Sequence, residues 1–269
     1  MGRLEAVAVD GLPEITAGAD LAALIAGAGE SIGPHDVVVV AHKAVSKAEG
    51  RVRLLADVQP GPRARELAGG LGREPAAVQV ILDESAEVLR AERGVLICVT
   101  RHGFVCANAG VDASNAPEGA LVLLPEDPDA SARALRAGLR EHLGVAPAVL
   151  VTDSFGRAWR HGQCDVAVGC AGLRPLEDWR GRTDAHGRGL RATWIAVADQ
   201  VAAAADLVRE KDERLPVVVV RGLGGHVGPE DGPGARALVR PAREDLFRST
   251  SRRARPSRGS RRPHGGSHR

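Results

Sequence analysis

The chain has 269 residues, of which 44% are hydrophobic and 26% charged, a composition typical of a globular protein with its own core. No apolar run approaches the roughly 20 residues that a membrane-spanning helix needs, and the N-terminal MGRLEAVAVD lacks a signal-peptide core, which predicts a cytoplasmic protein. The net charge of +2 conceals a tail, residues 251–269, with seven arginines and no acid, so the remainder is net negative and unlike a basic nucleic-acid-binding domain.

Lysine is scarce in this chain. Of its 36 basic residues only three are lysines, namely Lys43, Lys47 and Lys211. An ammonium group is a compact, strongly hydrated point charge, so we expect lysine to persist where a phosphate pocket has no room for a guanidinium. The four cysteines form no C-x-x-C pair, which favours reduced thiols used as packing residues over a disulfide or a zinc site.

The first part of the chain predicts a strand, a helix and a second, fully buried strand. Residues 4–9 alternate in the manner of a strand, and apolar spacing predicts a helix over about 19–28. The apolar run Val37–Val40 predicts a buried strand, and ligands often gather where such strands end. The polar residues that follow it are His42, Lys43, Ser46 and Lys47. The run lacks the Walker pattern. Two interpretations of its two lysines remain open: they bind an anion, or they lie on a solvent-exposed helix face.

The next segments predict two helices and a strand that leads into a loop of small residues. The helices are expected over 62–71 and 75–84, followed by a polar link, and the buried strand over Val95–Val99. Small residues dominate the stretch RHGFVCANAGVDASNAPEG, so its backbone can approach a ligand closely. Asp112 and Asn115 in this loop suit either a ligand site or an Asx turn.

The stretch AVLVTDSFGRAWRHGQCDVAVG, residues 148–169, places several candidate ligand residues close together in the sequence. Its apolar start predicts a buried strand that delivers Asp153 and Ser154, then Arg157 and Arg160. A carboxylate and a hydroxyl are oxygen donors suited to a divalent cation, and two arginines can hold a phosphate. A strand followed by an Asp/Ser helix cap is the alternative, and both interpretations stay open.

The remaining elements predict a mixed α/β protein with a basic tail. Helices are expected over 128–143 and 199–209, and strands over 121–124, 165–172, 193–197 and 217–220. Beyond Ser249 the Arg/Ser/Gly/His composition cannot build a core and predicts disorder. We therefore expect one catalytic region over 1–248, with no readable internal boundary, and a tail over 249–269.

Seven motifs occur in an order that resembles a known family: GLPEI, VVVVAHKAVSKAEGR, TRHGFVCANAGVDASN, LLPEDPDASARALR, VTDSFGRAWRHGQCDVAVGCAG, VADQVAAAADLV and PVVVVRGL. Together they cover about residues 6–248 and resemble the coenzyme F420-0:L-glutamate ligase (F420:γ-glutamyl ligase) family. The likeness is to its stand-alone form, which lacks the C-terminal nitroreductase-like domain of some relatives. The resemblance implies a two-lobed α+β protein that forms an intertwined homodimer.

The resemblance also implies the activity and its partners. This family attaches L-glutamate to coenzyme F420-0, then adds γ-linked glutamates, and it uses GTP with Mg²⁺ or Mn²⁺. We accordingly expect two metal ions, K⁺ as a further ion, and GTP, L-glutamate and F420-0 as small-molecule partners, with no membrane and no specific nucleic acid.

Site residues follow from the resemblance position by position. The catalytic residues implied are Asp112, Asp153 and Lys47, and the metal ligands are Asp112, Asp153 and Ser154. The nucleotide-binding residues implied are Leu12, Pro13, Glu14, Ile15, His42, Lys47, Asn115 and Lys211. Arg157 and Arg160 are candidates for gripping the substrate's phosphodiester or carboxylates.

Three positions depart from the family pattern. His42 stands where a smaller polar residue is usual, Glu210-Lys211 where Gly followed by Lys or Gln is usual, and Cys164 where Thr is common. An extra carboxylate at Glu210 would repel nucleotide phosphates unless it binds metal.

Two other functions remain open. A metal-dependent phosphohydrolase on the same scaffold would need the same acids and lysine but no amine acceptor. A nucleic-acid-binding protein acting through the tail is disfavoured, because the tail has no aromatic residues for base stacking.

Overall fold

The computed structural model describes residues 2–209, 214–245 and 247 of the chain. The chain divides after Val239 into a large unit and a short C-terminal one. In the short unit, Ala242–Glu244 forms a single 3-10 turn. No helix among the described residues has both the length and the apolar character that crossing a bilayer requires.

The large unit contains twelve strands and six α-helices within its described residues. The strands are β1 (Glu5–Ala8), β2 (Val37–Ala41), β3 (Val52–Leu54), β4 (Ser85–Glu92), β5 (Val95–Thr100), β6 (Val105–Ala107), β7 (Ala120–Val122), β8 (Ala148–Arg157), β9 (Arg160–Ala171), β10 (Glu177–Asp178), β11 (Trp194–Ile195) and β12 (Val217–Arg221). The helices are α1 (Leu21–Gly27), α2 (His42–Ala48), α3 (Pro62–Leu71), α4 (Pro75–Asp83), α5 (Pro128–Leu143) and α6 (Val197–Asp206).

A five-stranded mixed sheet forms the centre of the large unit, in the order β1-β12-β2-β8-β9. Strands β2 and β8 are parallel, with Ala41 opposite Thr152 in the register, and the other pairings are antiparallel. Because β12 runs against both β1 and β2, the carboxyl ends of β1, β2 and β8 lie at one edge of the sheet. This edge is where ligands are expected in an α/β protein.

Alternation along the central strands supplies two cores, one on each face of the sheet. In β2, Val38 and Val40 pack in one core with residues of α1, α2 and α5, while Val37 and Val39 pack in the other with residues of α6. All four valines are fully buried. Both faces are covered, which explains why this strand is a continuous apolar run rather than an alternating one.

A three-stranded antiparallel sheet, β4-β5-β6, and the pair β3-β7 lie beside helices α3 and α4. Their core includes Ile81 of α4, Leu96 of β5 and Leu121 of β7. A bridge between Asp112 and Val122 ties the small-residue loop to β7, and β3 follows directly after α2. The connection places Asp112 on the side of the main sheet where α2 begins.

The mixed α/β composition agrees with the α+β class expected from the sequence, and α5 has the predicted bounds with Asp127 as its N-cap. Two local expectations were wrong: β9 begins at Arg160 rather than at residue 165, and the expected polar link after α4 is strand β4. Of the two interpretations left open for the segment after Val151, the helix cap is excluded, because β8 continues to Arg157. In each case cross-strand hydrogen bonding overrides polar local sequence, which pattern reading cannot detect. The tail over 249–269 lies outside the described residues.

Candidate functional site

A cleft of about 850 Å³ opens at the carboxyl end of β2, beside the middle of β8. It carries charges of both signs in close proximity. The acidic residues lining it are Glu14, Asp112, Asp153, Asp165 and Asp206, and the basic ones are Lys43, Lys47, Arg209 and Arg214, with His42 between them.

The parallel pairing of β2 with β8, in which Ala41 lies opposite Thr152, places the residue that follows β2 beside Asp153 in the middle of β8. His42, the first residue of α2, is buried, with its Nε2 3.2 Å from Asp153 Oδ1. Its Nδ1 lies 3.5 Å from the hydroxyl of Ser46 one helical turn later. The unusual histidine of the α2 motif is therefore held against the carboxylate that the sequence predicts as a metal ligand.

The second predicted carboxylate, Asp112, is paired with the neighbouring residue of α2. Lys43 Nζ donates to Asp112 Oδ2 and to Ser114 Oγ, both at 2.5 Å, and the Ser114 amide donates to Asp112 Oδ1 at 2.9 Å. Burial raises the pKa of Asp112, but the hydrogen bonds from Lys43 and Ser114 together outweigh this effect. The pKa therefore lies below its ordinary value of 3.8, at about 2. Asp112 is therefore ionised at neutral pH.

The other lysine of α2 contacts the turn that precedes α1. Lys47 Nζ donates to Glu14 Oε1 at 2.5 Å, and the Gly18 amide donates to the Ala48 carbonyl, which ties this turn to α2. All four residues of the Leu12–Ile15 turn line the cleft. Asn115 lines it too, with a left-handed backbone (φ 54°) that asparagine tolerates better than most residues.

A buried network stands at the β8–β9 side of the cleft. Asp165, only 2% exposed, accepts hydrogen bonds from Thr152 Oγ1 (2.8 Å), Ser154 Oγ (2.7 Å) and Arg209 Nη1 (3.0 Å). The hydroxyl of Ser154 donates to Asp165, so its oxygen lone pairs remain able to accept or ligate. Asp165 thus orients three polar groups at this wall.

Of the residues expected to act in the site, ten of the thirteen line this one cleft: Leu12, Pro13, Glu14, Ile15, His42, Lys47, Asp112, Asn115, Asp153 and Ser154. Arg157 and Arg160 do not line it; both are exposed at the end of the β8–β9 hairpin, where Arg157 Nη2 donates to the His161 carbonyl. Lys211 and its neighbour Glu210 lie outside the described residues.

The cleft also contains polar residues that sequence reasoning did not assign to the site, chiefly Asp165 and Arg209. Asp165 was taken only as the start of a strand, although its place in the G-Q-C-D motif beside the Asp153 segment was a usable signal. Arg209 follows an alanine-rich helix and offered no signal. Its partners Thr152 and Asp165 are 57 and 44 residues away.

One observation of this structure shows that Asp112, one of the two predicted metal-ligating carboxylates, accommodates a cation. The ammonium of Lys43 already sits against Asp112 Oδ2 and Ser114 Oγ, so a positive charge is accommodated there. Among the residues that the structure describes, no three His, Cys, Asp or Glu side chains cluster to hold an ion. Mg²⁺ commonly binds through one or two carboxylates, water and substrate phosphates, for which Asp112, Asp153 and Ser154 are suitable donors.

The thiol of Cys106, on which the charge of Asp153 acts, is protonated at neutral pH. Burial, together with the negative charge of Asp153, raises the pKa of Cys106 to about 12. Cys98 and Cys170 are also buried, and burial raises the pKa of both thiols. The expectation of packing cysteines is consistent with these positions.

A mixed sheet with a wide, charged cleft at the carboxyl end of a parallel strand is the arrangement of an enzyme that acts on small molecules. Comparison with known proteins specifies which family of enzymes this is. The sequence profile described as F420-0:Gamma-glutamyl ligase matches residues 11–222. The chain belongs to the F420-0:gamma-glutamyl ligase family, a family of ligases.

Three curated relatives illustrate the similarity, and each is named coenzyme F420:L-glutamate ligase. The protein of Methanothermobacter thermautotrophicus is 43% identical over 248 residues, which is 90% of this chain and 98% of that protein. The protein of Methanopyrus kandleri is 44% identical, covering 92% of this chain and all of its own length. The protein of Haloarcula marismortui is 44% identical, covering 93% and 97%.

Proposed function

We propose that this protein joins L-glutamate to coenzyme F420-0 in coenzyme F420 biosynthesis and then adds γ-linked glutamates, with GTP as the energy source. Family membership and the names of its relatives support the ligase activity. The observation that carries the site assignment is that Asp112 and Asp153, from segments about 40 residues apart, line one cleft together with Lys47 and Asn115.

The chemistry requires that a carboxylate be activated, because its oxygen is a poor leaving group. In the proposed reaction a carboxylate oxygen of F420-0 attacks the γ-phosphorus of GTP, which gives an acyl phosphate and GDP. The amine of glutamate then attacks the acyl carbon, the C–O bond to phosphate breaks, and the amine loses a proton as inorganic phosphate leaves. Phosphoryl transfer of this kind depends on positioning and on neutralising charge.

The residues of the cleft have complementary roles in this proposal. Lys47 and Lys43 neutralise phosphate charge, and the Leu12–Ile15 turn, His42 and Asn115 position the nucleotide. Asp112 and Asp153 would hold one Mg²⁺ or Mn²⁺, and Ser154 would help to hold a second. A bound divalent cation supplies charge neutralisation at the transferring phosphoryl group.

The oligomeric state of the protein and its cellular location are also part of this proposal. We expect a two-lobed protein that forms an intertwined homodimer in the cytoplasm, with K⁺ as an additional ion. The average mass of the particle measured by light scattering would be near twice the 28.0 kDa of the chain if the dimer forms.

The predicted metal ligands give the sharpest test of this function. We expect Asp112→Asn and Asp153→Asn to reduce glutamylation of F420-0 by about a thousandfold or more, because each removes an anionic ligand without changing side-chain size. The measurement is the mass of the product formed from GTP, Mn²⁺, glutamate and F420-0, read as the gain of one glutamyl unit.

Asp57→Asn, in an exposed 3-10 turn after β3 that does not line the cleft, is the matched control and should retain activity. Wild-type release of phosphate from GTP without a glutamyl product would instead favour the phosphohydrolase. Full activity in either cleft variant would contradict the assignment of that carboxylate.

A further inference from the structure

Arg209 carries a buried positive charge that is only partly paired. Its side chain is 9% exposed and lies just after α6, lining the cleft. Its Nη1 donates to Thr152 Oγ1 at 3.1 Å and to Asp165 Oδ2 at 3.0 Å. These two contacts fix one edge of the guanidinium plane against the wall formed by β8 and β9.

The opposite edge of the guanidinium has no hydrogen-bond partner among the described residues. Nε and Nη2 are both buried and make no hydrogen bond within the part of the chain that the structure describes. A buried donor without an acceptor is destabilising, and more so when the group is charged. Two adjacent unsatisfied donors on one arginine, at the wall of a cleft, therefore indicate an acceptor that the described residues do not provide.

The geometry of those two donors defines the acceptor. The N–H bonds of Nε and Nη2 run parallel, and this fork matches two oxygens on one carbon or one phosphorus. A carboxylate or a phosphate fits it, whereas a single carbonyl or hydroxyl oxygen would satisfy only one of the two donors.

Arg209 keeps its positive charge in this setting. Burial lowers the pKa of Arg209, and the negative charges of Asp165 and Asp206 oppose this effect. A guanidinium remains protonated at neutral pH even when buried. Arg214 lines the same cleft and adds a second guanidinium.

We propose that the Nε–Nη2 edge of Arg209 is an oxyanion subsite that grips a carboxylate or phosphate of a substrate, with Asp165 and Thr152 holding the guanidinium in place. The identity of the substrates rests on the proposed function, but the anion subsite itself does not. Under that function the candidates are a carboxylate of glutamate or F420-0 and the phosphates of GTP.

Binding to the full chain tests the proposal without turnover. The probes are glutarate, which presents carboxylates alone, and tripolyphosphate, which presents phosphates alone, each titrated calorimetrically. Arg209→Lys keeps a charge for Asp165 but loses the fork, so we expect it to weaken binding of one probe about tenfold and leave the other within twofold. The weakened probe names the source of the oxyanion. Arg65→Lys, on the exposed surface of α3, should bind both probes as the wild type does.

Equal binding of both probes by folded Arg209→Lys and wild type would overturn the proposal. If the variant does not fold, the Nε–H resonance of Arg209 in the wild-type protein gives the answer, because hydrogen bonding to an oxyanion must shift it. A shift with one probe supports the subsite, and no shift with either overturns it. Probe binding through Arg209 in a protein that forms no glutamyl product would count against the proposed function and leave the subsite standing.

Discussion

Two carboxylates of the cleft each lie against a side chain from one of two consecutive residues of α2. Asp153 faces His42, and Asp112 accepts from Lys43. The pairing explains how acids from distant segments are held in one cleft without mutual repulsion, since each negative charge has a positive or polar partner. Glu14 is likewise paired with Lys47, so each of these three acids has a neighbouring side chain on α2.

The ionisation of Asp112 should depend on Lys43. The folded pKa of Asp112, about 2, lies below its ordinary value of 3.8, so ionised Asp112 stabilises the fold above pH 3.8 and this contribution is lost as the pH falls through 2. We expect Lys43→Met to move the midpoint upward to 3.8 or above, because burial then acts without the ammonium. The measurement is the carboxyl carbon shift of Asp112 against pH by NMR.

The matched control for this titration is Lys47→Met, which removes the other α2 lysine and its contact with Glu14 rather than with Asp112. An Asp112 midpoint that stays near 2 in Lys43→Met would show that the Ser114 hydrogen bonds alone hold the carboxylate ionised. An equal change in both variants would mean that the effect belongs to the net charge of the cleft.

At the scale of elements, the packing of α5 on the sheet depends on a glycine in β9. A Cβ built at Gly169 would lie 2.1 Å from the backbone carbonyl oxygen of Pro128, the first residue of α5. The register of β8 and β9 shifts at this point, between Val151 and Thr152. The irregularity and the glycine together allow the helix start to approach the strand that leads from the cleft.

Gly169→Ala is expected to lower the free energy of unfolding by about 1–3 kcal/mol, because the backbone atoms it would meet cannot rotate away as a side chain could. Urea unfolding followed by circular dichroism measures it. Gly70→Ala in α3, where the added Cβ meets nothing within 4 Å, should instead raise stability by about 0.5–1 kcal/mol. Equal stability of Gly169→Ala and wild type would refute the close approach.

At the scale of the whole large unit, Arg136 joins segments that are far apart in the chain. It is buried in α5, and its Nε donates to the Pro147 carbonyl. Nη2 donates to the Gly228 carbonyl at 2.8 Å, and Nη1 to Pro229 O (3.1 Å) and Asp231 Oδ1 (2.8 Å). One guanidinium thereby fastens the loop after β12 to the segment that enters β8.

We expect Arg136→Lys to lower the free energy of unfolding by about 2 kcal/mol or more, because an ammonium cannot reach four acceptors arranged around a plane. Denaturant titration again provides the value. Arg140→Lys, one turn further along α5 and exposed, should change stability by less than about 0.5 kcal/mol. A similar small change at Arg136 would mean that water replaces the lost hydrogen bonds without cost.

The sequence by itself determined the elements whose signals are local. The amphipathic spacing of α5 predicts that helix with its observed bounds, and Val37–Val40 reads as a buried strand because no polar residue interrupts it. The ordered motifs also determined the family, and they predicted Asp112, Asp153 and Lys47 as site residues, all of which line the cleft.

Only the tertiary structure decided which charges meet. The sequence cannot show that Lys43 faces Asp112, or that Arg209 rather than Arg157 or Arg160 lines the cleft, because these contacts join residues dozens of positions apart. The parallel register of β2 with β8 and the length of the β8–β9 hairpin set them. Strand register depends on pairing across the whole sheet, and a shift of one residue turns each side chain to the opposite face.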